Sequence, residues 1–326
     1  MDPNAPYSEL SPEAVLDALE ARGLRCDGRV LALNSYENRV YQIGIEDGEP
    51  VVAKFYRPGR WSDAAIREEH AFAAELAAQE IPGVAPLPTG GQTLHLHRGF
   101  RNAVFPRRGG RWPELGTAEE REWVGRFLGR IHAVGRAGQF HERLRLSVED
   151  LGRRSRDFLL DGEWMPDYLA TKYADLTDTL LEAVEERARG WHGAALGRIL
   201  GDCHRGNILW TDLGPHFVDL DDCVTGPAIQ DLWMLLAGNE QEMRTELTDL
   251  LKGYEQFLAF DRRELALIEP LRALRMIHYA AWLARRWDDP AFPKAFPWFA
   301  EPRYWEEHYR ALEEQLTAVL EPPLEL

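Results

Sequence analysis

The chain has 326 residues, 45% hydrophobic and 28% charged, the composition of an ordinary globular protein with room for two lobes. Its formal net charge of −16 leaves no basic stripe to release counterions, which disfavours nucleic acid and anionic membranes and is compatible with a cationic substrate or a basic protein segment. No apolar run approaches the roughly 20 residues of a membrane span, the first ten residues lack the basic start and apolar core of a secretory leader, and Cys26, Cys203 and Cys223 show no CxxC spacing, so a reducing cytoplasm is expected rather than a disulfide or zinc framework.

In chain order, residues 11–22 read as an amphipathic helix with Ser11 as N-cap, Pro12 at the first position and Gly23 at the end. Residues 30–33, 39–45 and 50–56 are rich in β-branched and aromatic side chains, and Asp47-Gly48 is a hairpin turn between the last two. A helix capped by Ser62 follows over 62–80, then a Pro-rich connection over 81–87, then strands over 93–97 and 100–105. These elements predict a small α+β lobe over 1–106 that binds nucleotide. The Gly- and Pro-containing stretch 106–113 reads as a linker. Beyond it a mostly helical lobe is expected over 107–326, with helices at 117–134, 174–189, 228–236, 243–260, 264–286 and 304–320. One short β-like island interrupts them.

That island carries the chemistry. Leu200-Gly201-Asp202-Cys203-His204-Arg205-Gly206-Asn207 places an Asn five residues after an Asp, and Asp219 follows within Phe217-Val218-Asp219-Leu220-Asp221-Asp222. A turn through Asp212-Leu213-Gly214-Pro215 folds the two stretches into a hairpin and brings Asp219 back towards Asn207. Phosphoryl transfer needs a carboxylate to orient a hydroxyl and hard oxygen ligands for Mg²⁺ on the phosphates, and Asp202, Asn207 and Asp219 supply that set. Asp221 is expected to share a strand face with Asp219, because side chains alternate with period two, as an outer ligand or a structural partner, and Asp222 points the other way. His204 and His132 read as structural, and Asp231 as a buried brace for the loop.

Lys54 lies inside the apolar strand Val51-Val52-Ala53-Lys54-Phe55, where a charge either snorkels to an edge or reaches phosphates. It needs an acidic partner from the helix over 62–80. Glu69 falls on that helix's apolar stripe with Ile66 and Leu76 and is the favoured partner; Glu68, about 100° away, reads as solvated and is the fallback. Ser35, in the glycine-free stretch Asn34-Ser35-Tyr36-Glu37-Asn38, stands where a loop would cover phosphates. Ala103-Val104-Phe105 is the expected hinge strand against the adenine edge.

The order Lys, Glu, Asp-x-x-x-x-Asn, Asp is also that of protein kinases. Gly201-Asp202-x-x-x-x-Asn207 with Val218-Asp219 resembles the aminoglycoside phosphotransferase and choline kinase superfamily. The longer strings 34–41, 201–210, 218–222 and 230–236 resemble its stress response kinase A (SrkA, RdoA, YihE) branch, from about residue 33 to 286. The resemblance implies a two-lobed kinase-like fold and an ATP- and Mg²⁺-dependent Ser/Thr protein kinase of the bacterial stress response, cytoplasmic, monomeric and able to phosphorylate itself. It assigns Asp202 as proton acceptor, Asn207 and Asp219 as Mg²⁺ ligands, and Ser35 to the ATP loop. Two rival readings stand beside it: a small-molecule phosphotransferase acting on an amino alcohol, homoserine or an aminoglycoside-like acceptor, and a pseudokinase that binds without turnover.

Overall fold

The computed structural model describes residues 6–189 and 195–326. The amino-terminal part is built on five antiparallel strands, β1 (Cys26–Ala32), β2 (Arg39–Ile45), β3 (Val51–Phe55), β4 (His95–His97) and β5 (Phe100–Pro106), in the order β1-β2-β3-β5-β4. Helix α1 (Pro12–Glu20), capped by Ser11, covers one face of the sheet. Helix α2 (Asp63–Ala78), whose first-turn Ala65 N–H is accepted by Ser62, covers the other. Period-two alternation sorts β3 between them: Val51, Ala53 and Phe55 pack under α1, which leaves Lys54 on the α2 side.

The rest of the chain is mostly helical: α3 (Ala118–Arg136), α4 (Arg154–Asp161), α5 (Asp167–Ala188), α6 (Ile229–Trp233), α7 (Glu240–Tyr254), α8 (Ile268–Ala284), α9 (Ala291–Ala295) and α10 (Pro302–Leu320). A Thr117–Glu120 capping box starts α3. Two short hairpin-like pairs form the expected island: β6 (Gly197–Ile199) with β9 (Val224–Gly226), and β7 (Ile208–Thr211) with β8 (Gly214–Phe217). Among the described residues no helix is long and apolar enough to cross a membrane.

Several boundaries differ from the sequence reading. Strand β1 begins at Cys26 rather than residue 30, because an irregular register between Cys26 and Val30 carries the pairing past Gly28. Helix α5 begins seven residues earlier than expected, at Asp167, and α4 and α9 lie in segments without strong periodicity. The stretch 264–286 splits into a 3₁₀ turn, Arg262–Leu267, and α8. The supposed linker is pinned: Arg111 and Trp210 exchange backbone hydrogen bonds of 3.0 and 2.6 Å, so it forms a third edge on β7. The other connection is pinned too, through Val84 N–H to Phe217 O and Phe217 N–H to Pro82 O. These two crossings hold the β7–β8 hairpin against both lobes.

The helical lobe contains two apolar clusters, one joining α3, α6, α7 and the hairpins, the other joining α4, α5, α8, α9 and α10. His308 on α10 lies in the second, 3.3 Å from the Tyr173 hydroxyl and stacked on Tyr304. Burial pushes its pKa down to about 4. A histidine titrates near 6.5 in the unfolded chain, so below that pH the unfolded chain binds the extra proton. The contribution of His308 is fully present above about pH 6.5 and is lost as pH falls towards 4. At pH 5 that loss is about 2 kcal/mol. Thermal melts should therefore show His308→Phe losing less stability between about pH 7.5 and pH 5 than the parent; parallel losses would contradict the buried-neutral state.

Candidate active site

Helix α2 places Glu69 opposite Lys54 because residues 65, 66, 69, 70, 72, 73 and 76 form its buried stripe. The Lys54 Nζ lies 3.4 Å from Glu69 Oε1, 2.9 Å from Asp219 Oδ1 and 3.0 Å from Asp221 Oδ1. Burial opposes the charge on Lys54, but Asp219, Asp221 and Glu69 outweigh it and raise its pKa well above the ordinary lysine value. Arg60 pairs with both Asp221 and Asp222, and Arg143 approaches Glu69 at 4.0 Å. Three cations thus face four carboxylates, an arrangement one positive charge short of neutrality. Arg143 also donates to the Cys223 carbonyl at 2.9 Å and to the Asp221 carbonyl, so it holds the backbone of the acidic turn directly.

Asp219 is not on a strand. Strand β8 ends at Phe217, and Asp219 takes φ +56°, a left-handed conformation that a non-glycine residue adopts only when its surroundings hold it there. The period-two argument linking Asp219 and Asp221 therefore fails in its premise, although both carboxylates do reach Lys54. The Val218 N–H donates to the Asn207 carbonyl at 3.0 Å, which sets Asp219 beside Asn207. Asn207 Nδ2 donates to the Asp202 carbonyl at 3.0 Å, leaving the amide oxygen free to accept a cation. Asp219 keeps its second oxygen unbonded, with 46% of the side chain exposed. These donors suit a hard divalent ion. Among the described residues no group of three His, Cys, Asp or Glu forms a cage of its own, so such an ion would need oxygens from a ligand, as Mg²⁺ on phosphates has.

The Asp202 loop is held from below. Asp231, fully buried on α6, accepts from the N–H groups of Leu200 and Gly201, each at 2.8 Å, and from His132 Nε2 at 2.9 Å. Gly201 has φ +80°, and a Cβ there would run into the Asp222 carbonyl. Gln230 completes the brace by donating to the Gly201 carbonyl at 2.8 Å. Asp202 itself meets Arg275 Nη1 at 2.7 Å and His204 Nε2 at 3.5 Å. Burial works against its ionisation, but the hydrogen bond from His204 and the nearby Arg275 outweigh it and hold the carboxyl at about 2.

A cavity of about 260 Å³ opens between the lobes and is lined by Ser35, Lys54, Glu69, Phe105, Asn207 and Asp219 among others. Val104 does not reach it. Val104 pairs with Ala53 and shares its α1-facing side, where it packs in the apolar layer, and its carbonyl already accepts the Leu87 N–H at 2.7 Å. Of the expected hinge strand, Phe105 lines the cavity and Val104 does not; Pro106 and Arg108 line it beyond Phe105. Glu68 is also corrected. It is half-buried rather than free in solvent and accepts the backbone N–H groups of His141, Glu142 and Arg143 at 2.7–2.9 Å, which hold its pKa below the ordinary value despite the opposing effect of burial.

The glycine-free loop after β1 is fixed by a buried hub. Glu37 accepts from Trp282 Nε1 at 2.7 Å and pairs with Arg286, with Arg57 at 3.7 Å and with Arg60 at 3.8 Å. Asn38 Oδ1 accepts the Arg57 N–H at 3.1 Å, and Asp289 draws in Arg39 at 3.1 Å and Arg57 at 2.9 Å.

A model of the phosphotransferase enzyme family matches residues 29–268. Stress response kinase A of Salmonella paratyphi A is 48% identical over 320 residues, 98% of this chain and 97% of that protein. The chain belongs to the stress response kinase A family. The serine/threonine protein kinase RdoA of Salmonella typhimurium is likewise 48% identical over 98% of this chain and 97% of its own length. The fold also matches amicoumacin kinase hAmiN in complex with AMP-PNP and Ca²⁺ (TM-score 0.68, 20% identity, 90% of this chain and 92% of that one) and a microcompartment-associated aminopropanol kinase (TM-score 0.68, 17% identity, 94% and 98%). At these identities the likeness is one of fold: a two-lobed kinase-like architecture.

In this stress response kinase A family member, sequence reasoning missed Arg60, Arg143, Arg275 and His70. His70 lines the cavity behind Lys54, bonded to the Tyr56 hydroxyl at 2.7 Å and to Thr93 at 2.9 Å, and burial drives its pKa down to about 3. It is adjacent to Glu69 on the same buried stripe, which is the one signal that could have found it.

Proposed function

We propose that the chain transfers the γ-phosphoryl group of ATP to serine or threonine hydroxyls of a protein, itself included. The observation that carries this reading is the convergence of Lys54, Glu69, Asn207 and Asp219 on one inter-lobe cavity, with Asp202 on the same loop as Asn207. Residues 1–106 would hold the nucleotide and 107–326 the acceptor. Lys54 would release part of its carboxylate cluster to meet phosphate oxygens, kept charged and aimed by Glu69. Asn207 and Asp219 would hold Mg²⁺, which neutralises phosphate charge when bound. Ser35 and the fixed loop would lie over the phosphates, and Phe105 and Pro106 against the base. Asp202, with its pKa held at about 2, is a weak base; it would orient the acceptor hydroxyl and take its proton only as the new bond forms. The names of the relatives support the protein acceptor and the place in a stress response; the cytoplasmic and monomeric expectations belong to the same reading.

The test is label transfer from γ-labelled ATP with Mg²⁺, scored on the chain itself, a generic protein and a panel of amino alcohols, homoserine and aminoglycosides. Label on Ser or Thr is expected, and Asp202→Ala should lower it on the order of 10³-fold. Label on small molecules alone would replace the protein acceptor with the rival substrate class, and ATP binding without transfer would establish a pseudokinase.

A further inference from the structure

Arg275 sits midway along α8 and donates one bond, to Asp202, while 41% of its side chain stays exposed. No other protein acceptor meets its guanidinium among the described residues. The carboxylates of the acidic turn and of the loop hub are engaged by the protein's own cations: Asp222 by Arg60, Asp221 by Lys54 and Arg60, Glu37 by Arg286, and Asp289 by Arg39 and Arg57. His204, on the other oxygen of Asp202, adds a further donor. His278, also on α8, senses this field: burial and the charges of Arg285, Arg286, Arg275 and Arg60 push it down to about 4. A cationic acceptor approaching Asp202 would therefore meet an arginine beside a carboxylate that is already paired, while Asp219, bonded to Lys54, stands on the phosphate side. This is the reverse of what an ammonium-bearing substrate needs, despite the net charge of −16.

We infer that Arg275 is a specificity-determining residue that selects an acceptor hydroxyl carried beside a carboxylate and disfavours one carried beside an ammonium group. This rests on the phosphotransfer reading above and names its substrate class. The remaining guanidinium donors match a carboxylate's geometry while one stays on Asp202. The same chemistry is offered by a polypeptide serine next to aspartate and by a free hydroxy acid, and the two are separable by experiment.

The experiment measures kcat/KM for three peptides that differ only in the residues flanking one serine, Asp, Ala or Lys, alongside a free hydroxy acid and its amino alcohol counterpart. The parent enzyme is expected to favour the Asp peptide over the Lys peptide by about 10–100-fold. Arg275→Ala should erase that ratio, Arg275→Lys should keep most of it and Arg275→Glu should invert it, with KM for ATP within about twofold throughout. Preference shown among the peptides identifies a polypeptide acceptor; preference shown only between the small molecules identifies a hydroxy acid. A parent enzyme indifferent to flanking charge overturns the proposal, as does an Arg275→Ala variant that slows every acceptor equally, which would make Arg275 a positioning residue for Asp202. Absence of label on every acceptor overturns the phosphotransfer reading itself.

Discussion

Asp219→Ala is expected to lower phosphoryl transfer on the order of 10³-fold or more while leaving the fold intact. The side chain is 46% exposed and makes one bond, to Lys54, so its removal opens no apolar cavity. Lys54 would keep Glu69 and Asp221 as partners, so its charge stays compensated. What disappears is the one carboxylate oxygen left open beside the Asn207 amide. Relief of the left-handed backbone at Asp219 offers no gain, because alanine is no happier there. Circular dichroism and melting close to the parent, together with lost transfer, are the expected pair. Normal turnover by the variant would show that the divalent ion is held elsewhere.

Asp231→Asn should be the most damaging change away from the cavity. The carboxylate accepts three hydrogen bonds in a fully buried position, two of them from backbone N–H groups that have no other partner within reach of α6. An asparagine can offer only one acceptor oxygen and turns its NH₂ towards a donor. The penalty is on the order of 3 kcal/mol, from one buried N–H left unsatisfied and a donor–donor clash, or a melting temperature lower by roughly 5–10 °C. Because Gly201 is one of the two donors, the loop bearing Asp202 should loosen as well, and kcat should fall about 10–100-fold with KM for ATP little changed. A variant that melts with the parent would show that the Gln230 contact to Gly201 suffices as the brace.

What could be read from the sequence was short-range. The Asp202-to-Asn207 spacing, the two-stranded return to residue 219 and the parity of β3 are local patterns, and each places side chains through a few bonds. Glu69 was separable from Glu68 because helical phase is also local. The errors share a cause. Val104 was misplaced because a strand's parity must be anchored to its neighbour, and only the pairing of Val104 with Ala53 does that. Glu68 was read as solvated because its partners, the N–H groups of residues 141–143, lie on a segment with no pattern of its own. Arg275 is 73 residues from Asp202, and Arg39 is 250 from Asp289. A surface arginine and a site arginine look alike until the chain closes, and an acidic composition gave no hint that the carboxylates around the cavity would be matched by internal cations.

The inserted helix α2 is tied to the helical lobe at three heights: Glu68 to the backbone at 141–143, Glu75 to Arg198 at 2.6 Å, and the Gln79 carbonyl to Arg130 at 2.6 Å. Its lower half, Phe72 to Leu76, belongs to the same apolar cluster as α3 and α7. The acidic turn passes from Asp222 into β9 and α6 with no free loop between. Helix α2 and the acidic turn are thus both fastened to the helical lobe, so under the proposed reading each molecule is expected to be competent once folded. Output then becomes a matter of dosage: how many copies are synthesised and how long each survives proteolysis decides how much phosphate is moved.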